Sequence, residues 1–221
     1  MSWFTSAVAK VVQFVTRTAT RISIDPRPKA IATQFATRDA SHPLKKIALV
    51  SEIALLFKRI KYKEDPLNGR LDYVPHPTAF QRGIDLGTVE NPYADDDCDG
   101  YAIFCAAVLL KSQLADVVWY ATASYTYVDG PRKGEQAGHA VCVYRDKTTN
   151  KHHWIGNWHG GVPMDLPSPE GWVEALERYG MPADAPADAQ RPRRANQAQR
   201  SFCVLQSDDT VVFANMVMDR G

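Results

Sequence analysis

The sequence predicts an α+β fold in which helices come first and antiparallel strands follow. Apolar residues recur at helical spacing in residues 44–60 and again in residues 98–113. Segments with strand-like composition follow at 117–128, 139–145 and 152–158, and turn-forming residues separate them. Because strands joined by short turns usually pair antiparallel, we expect one antiparallel sheet packed against the helices.

Composition excludes several classes of protein. The chain has 221 residues, of which 45% are hydrophobic, so it can bury a full core and is not expected to be disordered or fibrous. A formal net charge of +1 gives no electrostatic reason to expect nucleic acid as a partner. No apolar run is long enough for a transmembrane segment. The four cysteines form no CxxC pair, which predicts neither a zinc knuckle nor a disulfide framework and favours a cytoplasmic location.

The segments that flank the central domain differ from it in composition. Residues 1–44 predict an amphipathic helix followed by a proline-containing connector, and we expect this helix to dock on its own domain or on a partner protein. The central domain is expected over residues 45–180. Residues 181–200 predict a linker rich in proline, alanine and arginine. Residues 201–221 predict a β-hairpin that completes the sheet.

Cys98 opens the second predicted helix. Its thiolate would face unpaired backbone N–H groups and the positive end of the helix dipole, and both lower the pKa of a thiol. The neighbouring Asp97 and Asp99 oppose this effect, so an imidazolium or a bound cation must compensate for them. The other three cysteines lie in apolar patterns and are interpreted as packed small hydrophobic residues; they are Cys105, Cys142 and Cys203.

His139 and Asn157 are the candidate partners of Cys98. His139 follows a glycine and opens a predicted strand, which would hold its imidazole at one end of the sheet. Transfer of a proton from a thiol to an imidazole creates the ion pair that activates a cysteine nucleophile. A third group usually orients the imidazole, and Asn157 on the next predicted strand is the first candidate.

At these residues the sequence resembles the transglutaminase-like, papain-fold superfamily, and most closely its bacterial cysteine proteases. The resemblance covers about residues 45–160, and its main elements are the block DCDGYA at 97–102, the GHAV strand at 138–141 and the stretch before the cysteine at 62–77. It implies a papain-like fold, with the nucleophile at the N-terminus of a helix packed on an antiparallel sheet. It also implies a thiol hydrolase, a cysteine protease or amidase, with Cys98, His139 and Asn157 as its catalytic triad.

The chain departs from this family at two positions. The third catalytic site usually reads Asp-Asn, whereas this chain has Gly156-Asn157. The family resemblance also implies a calcium site formed by acids around the cysteine. Asp97 and Asp99 match two of the ligands, while the third falls on Gly100. The preceding acids Asp95 and Asp96 offer hard oxygen ligands that could replace it, so calcium is a candidate cofactor and no other cofactor is expected.

Two alternatives stay open at the level of sequence. Peptidoglycan hydrolases of the NlpC/P60 type share an Asp-Cys block and a Gly-His strand, and in that reading His152 or His153 is the third catalytic group. The chain could instead be a non-catalytic papain-fold component of a larger assembly, such as a virus or phage particle. A reactive Cys98 would favour an enzyme, whereas four inert cysteines would favour the structural component.

As an enzyme, the chain is expected to cleave an amide bond in a protein or peptide substrate. The Cys98 thiolate attacks the carbonyl, its backbone N–H and a donor from residues 61–97 hold the oxyanion, and His139 protonates the leaving amine. Water or a second amine then resolves the thioester. Three aromatic residues are candidates to line the substrate cleft, namely Tyr73, Trp154 and Trp158. The arginines of the predicted linker are interpreted as solvated.

Overall fold

The computed structural model describes residues 42–63, 75–178 and 193–219, together with the backbone of two short strands at 22–23 and 72–73. The helices are α1 (Glu52–Phe57), α2 (Pro77–Leu86), α3 (Cys98–Ser112) and α4 (Trp172–Arg178). The strands are β1 (Ile22–Ser23), β2 (Ile60–Tyr62), β3 (Asp72–Tyr73), β4 (Ala94–Asp96), β5 (Ala115–Tyr127), β6 (Gln136–Asp146), β7 (His152–Ile155), β8 (Met164–Leu166), β9 (Arg193–Leu205) and β10 (Val211–Asp219). Residues 1–21 of the predicted amphipathic helix, most of the connector to residue 44 and residues 181–192 lie outside the described part. None of the described helices has the length and apolar character needed to span a membrane.

One six-stranded sheet organises the fold, with the strand order β10-β9-β5-β6-β7-β8. Every neighbouring pair in it is antiparallel. The prediction of helices combined with an antiparallel sheet is therefore confirmed. The β9–β10 hairpin forms one edge of this sheet, while the short strands β2 and β4 pair separately and in parallel.

The two faces of the sheet carry separate hydrophobic clusters. Helix α3 packs on the face that presents Ala140, Cys142 and Tyr144 of β6. Its residues 99–109 are buried on all sides, because residues of α1 and α2 cover it from outside. The opposite face packs against α4 through Trp154 of β7 and Trp172.

The first helix is much shorter than predicted. The sequence predicts a helix over residues 44–60, whereas α1 begins at Glu52. The backbone N–H of Leu44 donates to the Asp209 carboxylate, and that of Ile47 donates to the Ser112 hydroxyl. Because distant side chains accept from these N–H groups, residues 44–47 are satisfied without helical hydrogen bonds.

Helix α2 lies within residues 61–97, whose many proline, glycine, aspartate and asparagine residues and lack of a long periodic run predict a folded loop. Its N-cap is His76, whose ring accepts a hydrogen bond from the Thr78 N–H at 3.1 Å, and Pro77 occupies the first turn. Proline in a first turn and buried residues four apart, Phe80 and Ile84, are the signals that could have revealed it.

The predicted linker is wrong over its C-terminal part, because β9 begins at Arg193. Arg200 is not a solvated residue: it is 6% exposed. Its guanidinium lies 5.0 Å from the centre of the Trp119 ring and donates to the Glu170 carboxylate at 2.9 Å. Stacking on an aromatic ring and pairing with an acid make an arginine acceptable inside a sheet, and composition reveals neither partner.

Candidate active site

Cys98 is the first residue of α3, as predicted. The preceding Asp97 has an extended backbone and caps the helix, since its side chain accepts from the Asp99 N–H at 3.1 Å. The Cys98 thiol is half-buried, whereas the other three cysteines are buried. Burial raises the pKa of the Cys142 and Cys203 thiols well above the usual value, so both are held protonated. Cys98 is therefore the one cysteine placed to react.

Helix α3 runs alongside β6 in the same direction. Their C-terminal ends are joined by a hydrogen bond from the Lys147 N–H to the Leu114 carbonyl at 3.0 Å. Midway along, Cys105 of the helix interacts with Cys142 of the strand inside the core. Cys98 precedes Cys105 by about 10 Å of helix, and His139 precedes Cys142 by about 10 Å of strand. These lengths bring Cys98 and His139 to the same end of the sheet.

His139 lies inside β6, three residues after its start, rather than at its first residue. It pairs with Ala123 of β5, but on its other side β7 has already ended, because the last pair there joins Cys142 and Ile155. The chain continues past this pair as a 3₁₀ turn over residues 157–159. Asn157 is therefore in a turn beside His139 and not, as expected, on a strand.

The imidazole of His139 is held by the residues that follow β7. Its ring stacks on Trp158 with the ring centres 3.5 Å apart and the planes 10° from parallel. Tyr125 in turn packs edge-on against Trp158. A Cβ built on Gly156 would lie 3.4 Å from Nε2 of His139, so this nitrogen faces the Gly156–Asn157 backbone. His139 is only 4% exposed.

Asn157 supplies an acceptor at the same end of the sheet. Its side-chain Oδ1 is buried, and among the described residues none donates a hydrogen bond to it. Helix α3 packs against the turn that carries it. A buried carbonyl oxygen without a donor costs free energy, so a nearby N–H would stabilise it.

Cys98 and His139 belong to different side-chain layers. Cys98 packs at the border of the cluster beneath α3. Strand alternation places the His139 side chain with Val141, on the face that also carries Trp154. The thiol can therefore reach the imidazole only around the end of the sheet, not across its face.

Three carboxylates lie around the start of α3. Ligand oxygens of Asp96, Asp97 and Asp99 all lie within 4.8 Å of one another. A Cβ on Gly100 would collide with the Asp96 carboxylate, so Asp96 occupies the place of a side chain at residue 100. Asp95 instead pairs with Lys63 at 2.9 Å on the surface. Of the two acids considered as replacements for the third calcium ligand, only Asp96 lies in this cluster.

His152 and His153 are not placed to act as the third catalytic group. They pair with Arg145 and Tyr144, which lie six and five positions along β6 from His139, at about 20 and 17 Å. His153 forms an ion pair with the exposed Asp165 at 2.9 Å. The sequence showed only that these histidines follow His139 closely, and the strand register separates them from it.

The three aromatic residues predicted to line a substrate cleft lie in different environments. Trp154 lies in the core and is only 1% exposed, so the prediction that it lines a substrate cleft is wrong. Trp158 lies against His139. Tyr73 pairs with Ile22 through the backbone of β3, and its role in binding substrate stays a prediction. His159, which was not assigned a catalytic role, follows Trp158 in the turn, and burial lowers its pKa.

No family model, curated protein or solved structure matches this chain. Its function must therefore be inferred from the chemistry of these residues.

Proposed function

We propose that the protein is a thiol hydrolase of the transglutaminase-like, papain-fold type, which cleaves an amide bond through a thioester on Cys98. The observation that carries this proposal is the shared position of three residues. Cys98 at a helix N-terminus, His139 and Asn157 all lie at one end of the unit formed by α3, β6 and the turn after β7.

The start of α3 favours the thiolate form of Cys98. The positive end of the helix dipole stabilises negative charge there. The carboxylates of Asp97 and Asp99 oppose this, so the thiolate needs a positive partner. A protonated His139 is the partner that the fold offers at this end of the sheet.

The two ring nitrogens of His139 take different roles. Nε2 lies beside Gly156, the residue before Asn157, and we assign Nε2–H as the donor that would reach the buried Oδ1 in the catalytic arrangement, a hydrogen bond that the structure does not itself contain. This leaves Nδ1 to accept the proton of the Cys98 thiol. The Trp158 ring stacked on the imidazole stabilises its cationic form and restricts its rotation.

The reaction follows from these roles. The Cys98 thiolate adds to the amide carbonyl, and the oxyanion is held by backbone N–H groups at the start of α3. His139 gives its proton to the leaving amine, the C–N bond breaks, and a thioester remains on Cys98. His139 then takes a proton from water, which attacks the thioester and releases the acid, and this restores the Cys98 thiolate and the protonated His139. Attack by an amine in place of water would give acyl transfer.

The carboxylate cluster fits a divalent cation such as calcium. Three carboxylates within 4.8 Å provide hard oxygen ligands, and Gly100 leaves room for the third. Asp96, Asp97 and Asp99 would hold the ion. When bound, it would offset the negative charge that these acids place beside the Cys98 thiolate.

A second candidate function is a non-catalytic component of a larger assembly. The burial of His139 beneath Trp158, on the sheet face opposite α3, favours this alternative. In an enzyme, the thiol must reach Nδ1 around the sheet end. In a structural component, His139 is a packed core residue and the Cys98 thiol takes no part in chemistry.

Two assays separate these functions. Fluorescent casein reports peptide cleavage, and incorporation of monodansylcadaverine into casein reports acyl transfer. We expect turnover in one of them by the unmodified chain and by Cys203→Ala, a buried-cysteine control, and none by Cys98→Ala. Full turnover by a folded Cys98→Ala variant would refute the proposal. Absence of turnover together with inert Cys98 in alkylation would support the structural component.

A further inference from the structure

A group of large apolar side chains is exposed around Gly87, the residue that follows α2. Each of the four is more than half exposed; they are Leu55, Leu86, Val89 and Tyr93. Single exposed apolar residues are common on protein surfaces, whereas a contiguous group marks a surface that contacts something else. We call these four residues the Gly87 patch.

Three residues of the patch are neighbours because the chain folds back on itself here. Leu86 directly precedes Gly87, and Val89 lies in the loop of residues 88–91, whose two ends are joined by hydrogen bonds. This loop returns the chain to Gly87, since a Cβ at that residue would collide with the backbone nitrogen of Tyr93. The three side chains therefore leave the backbone from one small region of the surface.

The fourth residue of the patch comes from α1. The Arg59 guanidinium donates to the Gly87 carbonyl at 2.9 Å, so the end of α1 lies against the end of α2. The helical path of α1 continues as far as Arg59, whose N–H donates to the Leu56 carbonyl at 3.0 Å. Leu55 lies one helical turn before Arg59 and thus on the same side of this path.

The N-terminal part of the chain joins the fold beside this patch. The His42 ring lies 2.7 Å from the carboxylate of Asp85, which is the residue before a member of the patch. Further toward the N-terminus, Ile22 pairs with Tyr73 through the backbone of β1 and β3. Residues 1–21 lie outside the described part, and these two contacts tether them to the domain that carries the patch.

The sequence of residues 1–21 predicts an apolar surface that needs a partner. At helical spacing one face is apolar, with Phe4, Val8, Val11 and Val15. The opposite face is polar, with Ser6, Lys10, Gln13 and Arg17. A helix of this length that is rich in β-branched residues is marginal in water by itself, so it depends on a complementary apolar surface.

We propose that the Gly87 patch is the docking surface for the apolar face of residues 4–15 of the same chain. Docking removes both apolar surfaces from water, which supplies the driving force. The tether gives this segment an effective concentration in the millimolar range, which exceeds that of a second copy in a dilute protein solution. The proposal does not depend on the reactivity of Cys98.

Thiol labelling tests whether the patch is covered. Leu86→Cys places a reporter thiol in the patch, and a Cys98→Ala background removes the half-buried native thiol. The other three cysteines are buried, so they stay unlabelled as long as the chain is folded and thereby report on folding. We expect fluorescein maleimide to label the reporter slowly, because residues 4–15 cover it.

Two matched pairs of substitutions in the N-terminal segment identify the cover. Val8→Ser with Val11→Ser weakens the apolar face, and we expect labelling of the reporter to become at least about tenfold faster. Lys10→Ser with Gln13→Ser adds the same two serines to the polar face and should leave the rate unchanged. A second reporter, Tyr93→Cys, should show the same pattern. Equal rates with both pairs would overturn the proposal.

A remote reporter and two changes of condition complete the test. Val128→Cys is exposed in the turn after β5 and should be labelled rapidly whatever the N-terminal sequence. Labelling of Leu86→Cys as fast as Val128→Cys in the chain with the unmodified segment would overturn the proposal. Protection that increases with protein concentration would assign the patch to a second copy, and protection that requires vesicles of phosphatidylcholine and phosphatidylglycerol would assign it to a membrane surface. Either result would also overturn the proposal.

Discussion

The two ends of the β6–β7 pair both carry histidines, but they hold them in different ways. At one end His139 stacks on Trp158, beside a turn and close to the start of α3. At the other end His153 pairs with the exposed Asp165 and stacks on Tyr144. A histidine close in sequence to the candidate catalytic His139 is thus not close to it in space unless the strand register brings it there.

The two ends of α3 also differ, because one carries a candidate reactive group and the other a structural ion pair. Its N-terminus presents the half-buried Cys98 beside three carboxylates. Its C-terminus is fixed by Lys111, which donates to the Asp209 carboxylate at 2.7 Å. Asp209 also accepts from the Leu44 N–H, so it joins three distant segments. We therefore expect substitutions at the first end to change reactivity and those at the second to change stability.

The largest expected effect is the difference in turnover between substitutions of His139 and His153. We expect His139→Ala to lower casein turnover by about 100- to 10,000-fold, the usual contribution of a general acid–base group. His153→Ala removes a contact with an exposed acid and a ring stacked on Tyr144, both far from Cys98, and should change turnover per folded molecule less than about threefold. Steady-state rates of the two purified variants provide the measurement. Equal losses in both would show that the two ends of the strand pair do not differ as described.

A stability effect should appear at the other end of α3. Lys111→Met leaves the buried Asp209 carboxylate without its cation, and we expect the free energy of unfolding to fall by about 1 to 3 kcal/mol. Urea denaturation gives this value. Turnover per folded molecule should be unchanged. A tenfold loss of kcat/KM at constant stability would contradict the expectation that this end of α3 affects stability and the other end affects reactivity.

Calcium should act only at the N-terminal end of α3. We expect millimolar calcium chloride to raise the melting temperature by a few degrees, because a ligand that binds only the folded state stabilises it. Asp96→Asn should abolish this rise, whereas Asp95→Asn should retain it, since Asp95 pairs with Lys63 outside the cluster. An equal rise in melting temperature in both variants, or no rise in either, would show that calcium does not bind at this cluster.

The smallest effect concerns pH. Burial lowers the pKa of His159 below its usual 6.5 in the folded state. The unfolded chain therefore binds a proton first as the pH falls, so stability is full above about pH 6.5 and declines below it. Burial also lowers the pKa of His152 at the far end. Urea midpoints at pH 5 and 8 should differ less in His159→Gln than in the unmodified chain, and an unchanged difference would contradict this.

The elements that depend on local sequence were predictable. Cys98 at the start of α3 and the apolar run after it follow from the sequence of that segment. The central strands could be predicted for the same reason, since alternating apolar residues and turn signals mark them. The buried cysteines Cys105 and Cys142 also follow from their apolar neighbours.

What could not be predicted depends on contacts between distant segments. Asp209 and Ser112, which are remote in sequence, accept hydrogen bonds from the backbone of Leu44 and Ile47 in a segment that is not helical. Arg200 becomes a core residue through Trp119 and Glu170. Asn157 and the two histidines of β7 could be ranked as third groups only after the register of β6 and β7 was known.

The pKa of the Cys98 thiol tests the central claim most directly. The rate of alkylation by iodoacetamide, followed by mass spectrometry across pH 4 to 9, gives this value for each cysteine. We predict a Cys98 pKa below about 7, which rises toward the free-thiol value of about 8.5 in His139→Gln. A pKa near 8.5 in the unmodified chain, unaffected by His139→Gln, would show that no thiolate–imidazolium pair forms.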